Sequence, residues 1–199
     1  PDPEVLRRFC CELASETGAD LILLDGPQGW RGPTSPFEHM RACERCTRTP
    51  GKTGLPGAVK PASWTRMAEF SVQVFDALEA SGWRRLSDTW PVDRAAIETF
   101  PTHAWRTLGF EPLPAKRRQD VDLANPARLL GEWGGIRWPR EPTHDELQAV
   151  VAGIGGLALR RDGPDACDIH GYPPFREAGS WREGLILSPR SFPGRRLGP

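Results

Sequence analysis

A run of four apolar residues, Leu21-Ile22-Leu23-Leu24, stops on Asp25 and is followed at once by Gly26-Pro27. A short, wholly apolar run closed by Gly and Pro reads as a buried strand. A carboxylate at the carboxyl end of such a strand faces the crevice where open α/β sheets bind their ligands. Asp25 is therefore the first candidate for chemistry, although Asp before Gly-Pro is also ordinary turn chemistry. Glu98 sits in a second strand-like segment, 95–100, and Asp145 with Glu146 opens a helix. Two-metal phosphoryl chemistry needs several carboxylates, drawn from different elements, converging on Mg²⁺ or Mn²⁺. Thr143-x-x-Glu146 also fits a capping box, and the helix dipole favours an acid at Asp145.

Bases gather in one stretch. Arg41, Arg45, Arg48, Lys52 and Lys60 fall within twenty residues against one acid, Glu44, with glycines at 51, 54 and 57. Loop amides together with Arg can hold phosphate, and a solvated basic loop has the same composition. Gly51-Lys52-Thr53 lacks the upstream glycine spacing of a nucleotide-binding P-loop. Cys43-x-x-Cys46 would need two more ligands to hold zinc, from His39 or from the distant Cys167-x-x-His170. His103 follows closely on Glu98, as a base or as a structural residue. The eight tryptophans fit apolar faces better than a base-stacking surface.

The elements that position these groups follow from periodicity and punctuation. Asp2 caps a first helix that has Pro3 at its first position, Val5, Leu6, Phe9, Cys10 and Leu13 on one face, and Gly18 at its stop. An irregular stretch from about 26 to 63 separates the Asp25 strand from a strong helix at about 64–81. A short helix with Trp105 and Leu108 inward follows the Glu98 strand, and 111–123 form a basic loop with Lys116-Arg117-Arg118. Helices are expected at about 125–134 and 143–159, then a turn-rich tail with one strand at 185–187. This alternation argues for an α/β sheet, and the small number of clear strands leads to the expectation that part of that sheet lies upstream of residue 1.

Composition sets bounds. At 199 residues and 38% hydrophobic content the chain suffices for one domain over 1–199 with a sizeable core. Its 26 basic and 26 acidic residues balance, which gives no general argument for nucleic acid but leaves room for a local basic patch. No stretch approaches the ~20 apolar residues of a membrane span. With no secretory leader and an odd five cysteines, the expected setting is cytoplasmic.

Taken in order, the motifs resemble a known family. Leu23-Leu24-Asp25-Gly26-Pro27-Gln28-Gly29 is similar to the aspartate-small-proline-x-glycine motif of the predicted nucleases grouped as domain of unknown function 429. Arg41-Ala42-Cys43-Glu44-x-x-x-Arg48 resembles that family's arginine-rich segment, and Glu98-Thr99-Phe100-Pro101-Thr102 its glutamate strand end. Lys116 and Arg128-Leu129-Leu130, the acidic helix from Asp145 to Ala152, and Glu183-Gly184-Leu185-Ile186-x-x-Pro189 complete the series, which spans about 20–189. The resemblance implies a ribonuclease H-like sheet flanked by helices. It implies Asp25, Glu98 and Asp145 as catalytic residues and ligands of Mg²⁺ or Mn²⁺. Arg41, Arg48 and Lys116 would then hold the phosphates of a nucleic acid. Two departures stand out. No glycine-x-aspartate strand precedes Asp25, and Gln148 replaces an expected Asp. The expected activity is metal-dependent phosphodiester hydrolysis. The alternatives are a nucleic-acid-binding or interaction module without the metal site, and a hydrolase or binder of a small phosphorylated metabolite.

Overall fold

The computed structural model describes residues 2–90, 93–116 and 122–190. Its first helix, α1 (Pro3–Thr17), starts as the sequence predicts: the Asp2 carboxylate accepts from the Glu4 amide at 2.9 Å, and Gly18 ends the helix at φ 68°. The buried face differs from the expected one. Leu6, Cys10, Cys11 and Ala14 pack inward, whereas Val5, Phe9 and Leu13 are exposed, Phe9 at 59%. Two apolar stripes run side by side on α1, and periodicity alone does not say which of them meets its neighbours.

The architecture is mixed α/β, with a mostly parallel central sheet flanked by helices. Strands β1 (Leu21–Asp25), β4 (Arg84–Arg85), β5 (Ala95–Thr99), β6 (Cys167–Glu177) and β7 (Ser180–Pro189) form one sheet in the order β1-β5-β7-β6, with β4 against the start of β5. β1, β4 and β7 run parallel to β5, and β6 is antiparallel to β7. Strand alternation divides the core. Ile22 and Ala96 face α1 and α3 (Thr65–Ala80), meeting Val74, Phe75, Leu78 and Trp83. Leu23, Ala95, Ile97, Leu185 and Leu187 pack with Ala158 and Leu159 of α6 (His144–Asp162) on the other side. A further cluster joins α4 (Pro101–Thr107), α5 (Ala124–Gly134) and α6 around Trp105, Leu130 and Leu147. Close contact of α6 with the sheet rests on Gly155 and Gly156. A Cβ at Gly156 would lie 2.6 Å from Leu23, and one at Gly155 would lie 3.2 Å from Pro189.

Two segments differ from expectation. The stretch 26–63 contains α2 (Ala42–Thr47), a small hairpin of β2 (Lys52–Thr53) and β3 (Val59–Lys60), and a 3-10 turn at Ala62–Trp64. The tail holds the long β6–β7 hairpin instead of one short strand. Pro173 and Pro174 obscured β6, because Pro cannot donate to a ladder. They fall at a register shift between Tyr172 and Phe175 on an edge strand, where the missing N–H groups are tolerated.

The hairpin is seated tightly on α2. Gly171 has φ 116°, and a Cβ there would stand 2.2 Å from the Gly184 carbonyl oxygen and 2.8 Å from Cys43 Cβ. Gly171→Ala is expected to cost roughly 2–4 kcal/mol, from backbone strain plus overpacking. A urea melt reads this directly, and an unchanged midpoint would show that the hairpin yields there.

Among the described residues no helix is long and apolar enough to cross a membrane.

Candidate functional site

Parallel pairing of β1 with β5 puts Leu24 opposite Glu98 and Asp25 opposite Thr99, so both candidate acids end adjacent strands on one edge. Over this edge the 26–63 segment and the start of α3 enclose a cavity of about 310 Å³. Asp25 and Glu98 line it together with Arg41, Glu44 and Lys52. Trp64, Met67, Phe100 and Ile186 supply apolar wall. Gly51 lies flat against Trp64, since a Cβ there would meet the indole at 2.5 Å. Any side chain at 51 would have to displace the ring.

The two acids have different roles. Glu98 is buried and fully engaged: Arg41 Nη1 and Nη2 donate to its two oxygens at 2.8 and 2.7 Å, and the Gln28 amide donates at 3.0 Å. Arg41, 1% exposed, also reaches Glu44 through Nε and Nη2 at 3.1 and 3.0 Å. Glu44 accepts in turn from the Thr53 and Arg41 amides. Two carboxylates thus share one guanidinium, and backbone N–H groups supply the remaining bonds. A third buried acid, Glu183, accepts from the Gly32 amide at 2.8 Å. The Asp25 carboxylate makes no hydrogen bond or ion pair among the described residues, and water reaches it at the cavity mouth. The crowding protein and then the neighbouring Glu98 charge push its pKa up to about 6. Lys52, half-buried, donates to the Glu44 and Thr49 carbonyls, and burial lowers its pKa.

The charges lining the cavity are Asp25, Glu44 and Glu98 against Arg41 and Lys52, a net of −1 with all ionised. That balance bears on the phosphate contacts. Arg41 lines the cavity, but four of the five N–H groups of its guanidinium are taken up by Glu44 and Glu98, whose two charges outweigh its own. Arg48 is exposed at the end of α2 in a left-handed conformation, and it does not line the cavity. Lys116 is exposed and ion-paired with Asp145; Arg117 and Arg118 lie outside the described residues.

Asp145 stands apart from the other two acids. It is exposed in the first turn of α6 and bound to Lys116, and it does not line the cavity. Glu146 closes the expected capping box with Thr143 and pairs with Arg140, whose contact comes first in lowering its pKa to about 2. Gln148 accepts from the buried Trp105 indole at 2.9 Å, so at this position the amide supports the core. Among the described residues no group of three or more His, Cys, Asp or Glu is arranged to hold a metal ion. The Asp25–Glu98–Asp145 set therefore does not fit a two-metal centre: Arg41 occupies the charge of Glu98, and Asp145 is engaged elsewhere. The Cys43/Cys46 pair is divided, with Cys43 buried and Cys46 exposed. Burial pushes the Cys43 thiol up, which keeps it protonated.

No family model, curated protein or solved structure matches this chain. The function has to be read from the cavity itself.

The sequence points to Asp25 and Glu98 at one site, but it assigns Arg41 to phosphate and not to Glu98, where the structure places it. Glu44 and Lys52 are not legible as cavity residues, because the basic loop that holds them fits a phosphate-binding loop and a solvated one equally well. The signal available was Glu44 as the one acid among five bases. His103 leaves the site altogether and packs against His170 of β6, with Nε2 atoms 3.2 Å apart. Burial, followed by His170, lowers the His103 pKa to about 4.

Proposed function

We propose that the cavity binds and acts on a small molecule, with Asp25 as general acid–base. The carrying observation is a carboxylate without a side-chain partner among the described residues, at the mouth of a partly apolar cavity and beside a second carboxylate that an arginine already neutralises. An acid that titrates near neutrality is suited to take a proton from water or substrate and return it. A volume of about 310 Å³ lies at the small end of ligand pockets, which run from roughly 300 to 1,000 Å³. The net negative lining favours a group that donates a hydrogen bond to Asp25, such as an amine, a hydroxyl or a ring N–H. Trp64, Met67 and Phe100 would cover the apolar body of that molecule. A bare phosphate has little to hold it beyond Lys52.

The second reading is a metal-dependent nuclease of the ribonuclease H-like class. It is favoured by one observation, that Asp25 and Glu98 end adjacent parallel strands and share the cavity. For that chemistry Arg41 would have to release Glu98.

One experiment separates the two. Ligand-observed NMR with small amines, nucleosides and polyols is run on the wild type and on Asp25→Asn, alongside a calorimetric Mn²⁺ titration. The proposal expects small-molecule hits that Asp25→Asn loses and no saturable Mn²⁺ binding. Saturable Mn²⁺ binding lost in Asp25→Asn would transfer the site to the nuclease reading.

A further inference from the structure

A second site lies away from the Asp25 cavity. His103, in the first turn of α4, and His170, in β6, approach each other with their Nε2 atoms 3.2 Å apart. The ring planes are inclined at 72° with centroids 5.0 Å apart, so the rings meet at their nitrogen-bearing edges instead of stacking. Both side chains are half-buried and remain within reach of solvent. The residues lie 67 apart in sequence, on different elements.

We propose that His103 and His170 together form a binding site for a divalent transition metal ion, held by both Nε2 atoms and completed by water. Zinc–imidazole bonds of about 2.0–2.1 Å placed on two nitrogens 3.2 Å apart subtend about 103° at the metal, near the tetrahedral value. A hydrogen bond between the rings needs the same proximity but uses only one nitrogen as acceptor, and a metal ion accepts both lone pairs. Imidazole pairs suit Zn²⁺, Cu²⁺ and Ni²⁺ and do not suit Mg²⁺ or Mn²⁺, which prefer oxygen. The charges acting on His103 are Arg106 and Arg48, which oppose a cation, and Asp168, which favours one while bound to Arg190 at 2.8 Å. With two protein ligands the expected affinity is modest. The ion would tie α4, at the end of β5, to the β6–β7 hairpin.

The test is a Zn²⁺ titration of the whole chain followed by histidine-ring ¹⁵N NMR. Saturable shifts of the His103 and His170 Nε2 resonances are expected, with His39 and His144 unmoved. His103→Ala and His170→Ala should each weaken the binding at least tenfold, while Asp25→Asn leaves it unchanged. The ring spectrum of the wild type does not depend on how well the variants fold. Unmoved His103 and His170 rings, or binding that follows the cysteines instead, would overturn the proposal. Loss of binding in Asp25→Asn would also overturn it, by placing the ion in the other cavity.

Discussion

Arg41→Ala is expected to lower folding stability by roughly 3–5 kcal/mol, seen as a lower urea midpoint at an unchanged slope. The size follows from what remains after truncation. Glu98 and Glu44 would both stay buried, with backbone amides as their only partners and mutual repulsion in a poorly solvated space. Breaking a buried pair leaves an uncompensated charge, and that costs far more than an exposed ion pair contributes. Arg41→Lys keeps the charge but loses the planar fork that engages Glu98 through two nitrogens, so an intermediate loss is expected. Glu98→Gln added to Arg41→Ala should recover part of the deficit, because it removes one of the stranded charges. If Arg41→Ala costs less than about 1 kcal/mol, the range of an exposed pair, the network is solvated and the cavity is more open than described.

Asp25→Asn should do the opposite to stability while removing the proposed acid–base group. Folded Asp25 titrates near 6, whereas a carboxylate in the unfolded chain titrates near 4. Between those values the folded protein holds a proton that the unfolded chain has released. The contribution of this group is therefore fully present below about pH 4 and is lost as pH rises through 6. Burial without solvent contact would set the loss near 3 kcal/mol; water at the cavity mouth reduces it to about 1 kcal/mol. Asp25→Asn should then equal the wild type at pH 4 and exceed it by about that amount at pH 7. Any turnover that depends on Asp25 as general base should fall roughly 10²–10⁴-fold. Denaturation curves at both pH values check the first part, and a stability difference that does not change with pH would remove Asp25 from its proposed role.

How far the sequence reveals this molecule depends on the range of the signal. Local signals were legible. The Asp25 and Glu98 strands, the helix behind Trp64 and the Thr143–Glu146 cap were readable because each is set by neighbours within a few residues. Partnerships across the fold were not. Arg41 meets Glu98 over a separation of 57 residues, and nothing in either segment states that the arginine is buried. Its basic surroundings pointed toward solvent and phosphate. The need for Gly155 and Gly156 in α6 is likewise not legible locally, because only the strands beneath explain why a side chain is excluded. The β6–β7 hairpin is not legible in a turn-rich tail, because Pro is excluded from central strands and tolerated only at an edge or a register shift, which the sequence does not reveal.

The position of β1 has a mechanical side. Among the described residues its strand partner is β5 alone, along five successive register pairs from Leu21–Ala95 to Asp25–Thr99. Asp25 therefore sits at the tip of a cantilever, clamped along one side and free along the other. Tension along β1 would load all five rungs together in shear, so the strand would tend to release as a unit instead of peeling rung by rung. The placement of the proposed acid–base group within the plane of the sheet thus rests on one ladder, and anything that joined the other side of β1 would brace the cavity without touching it.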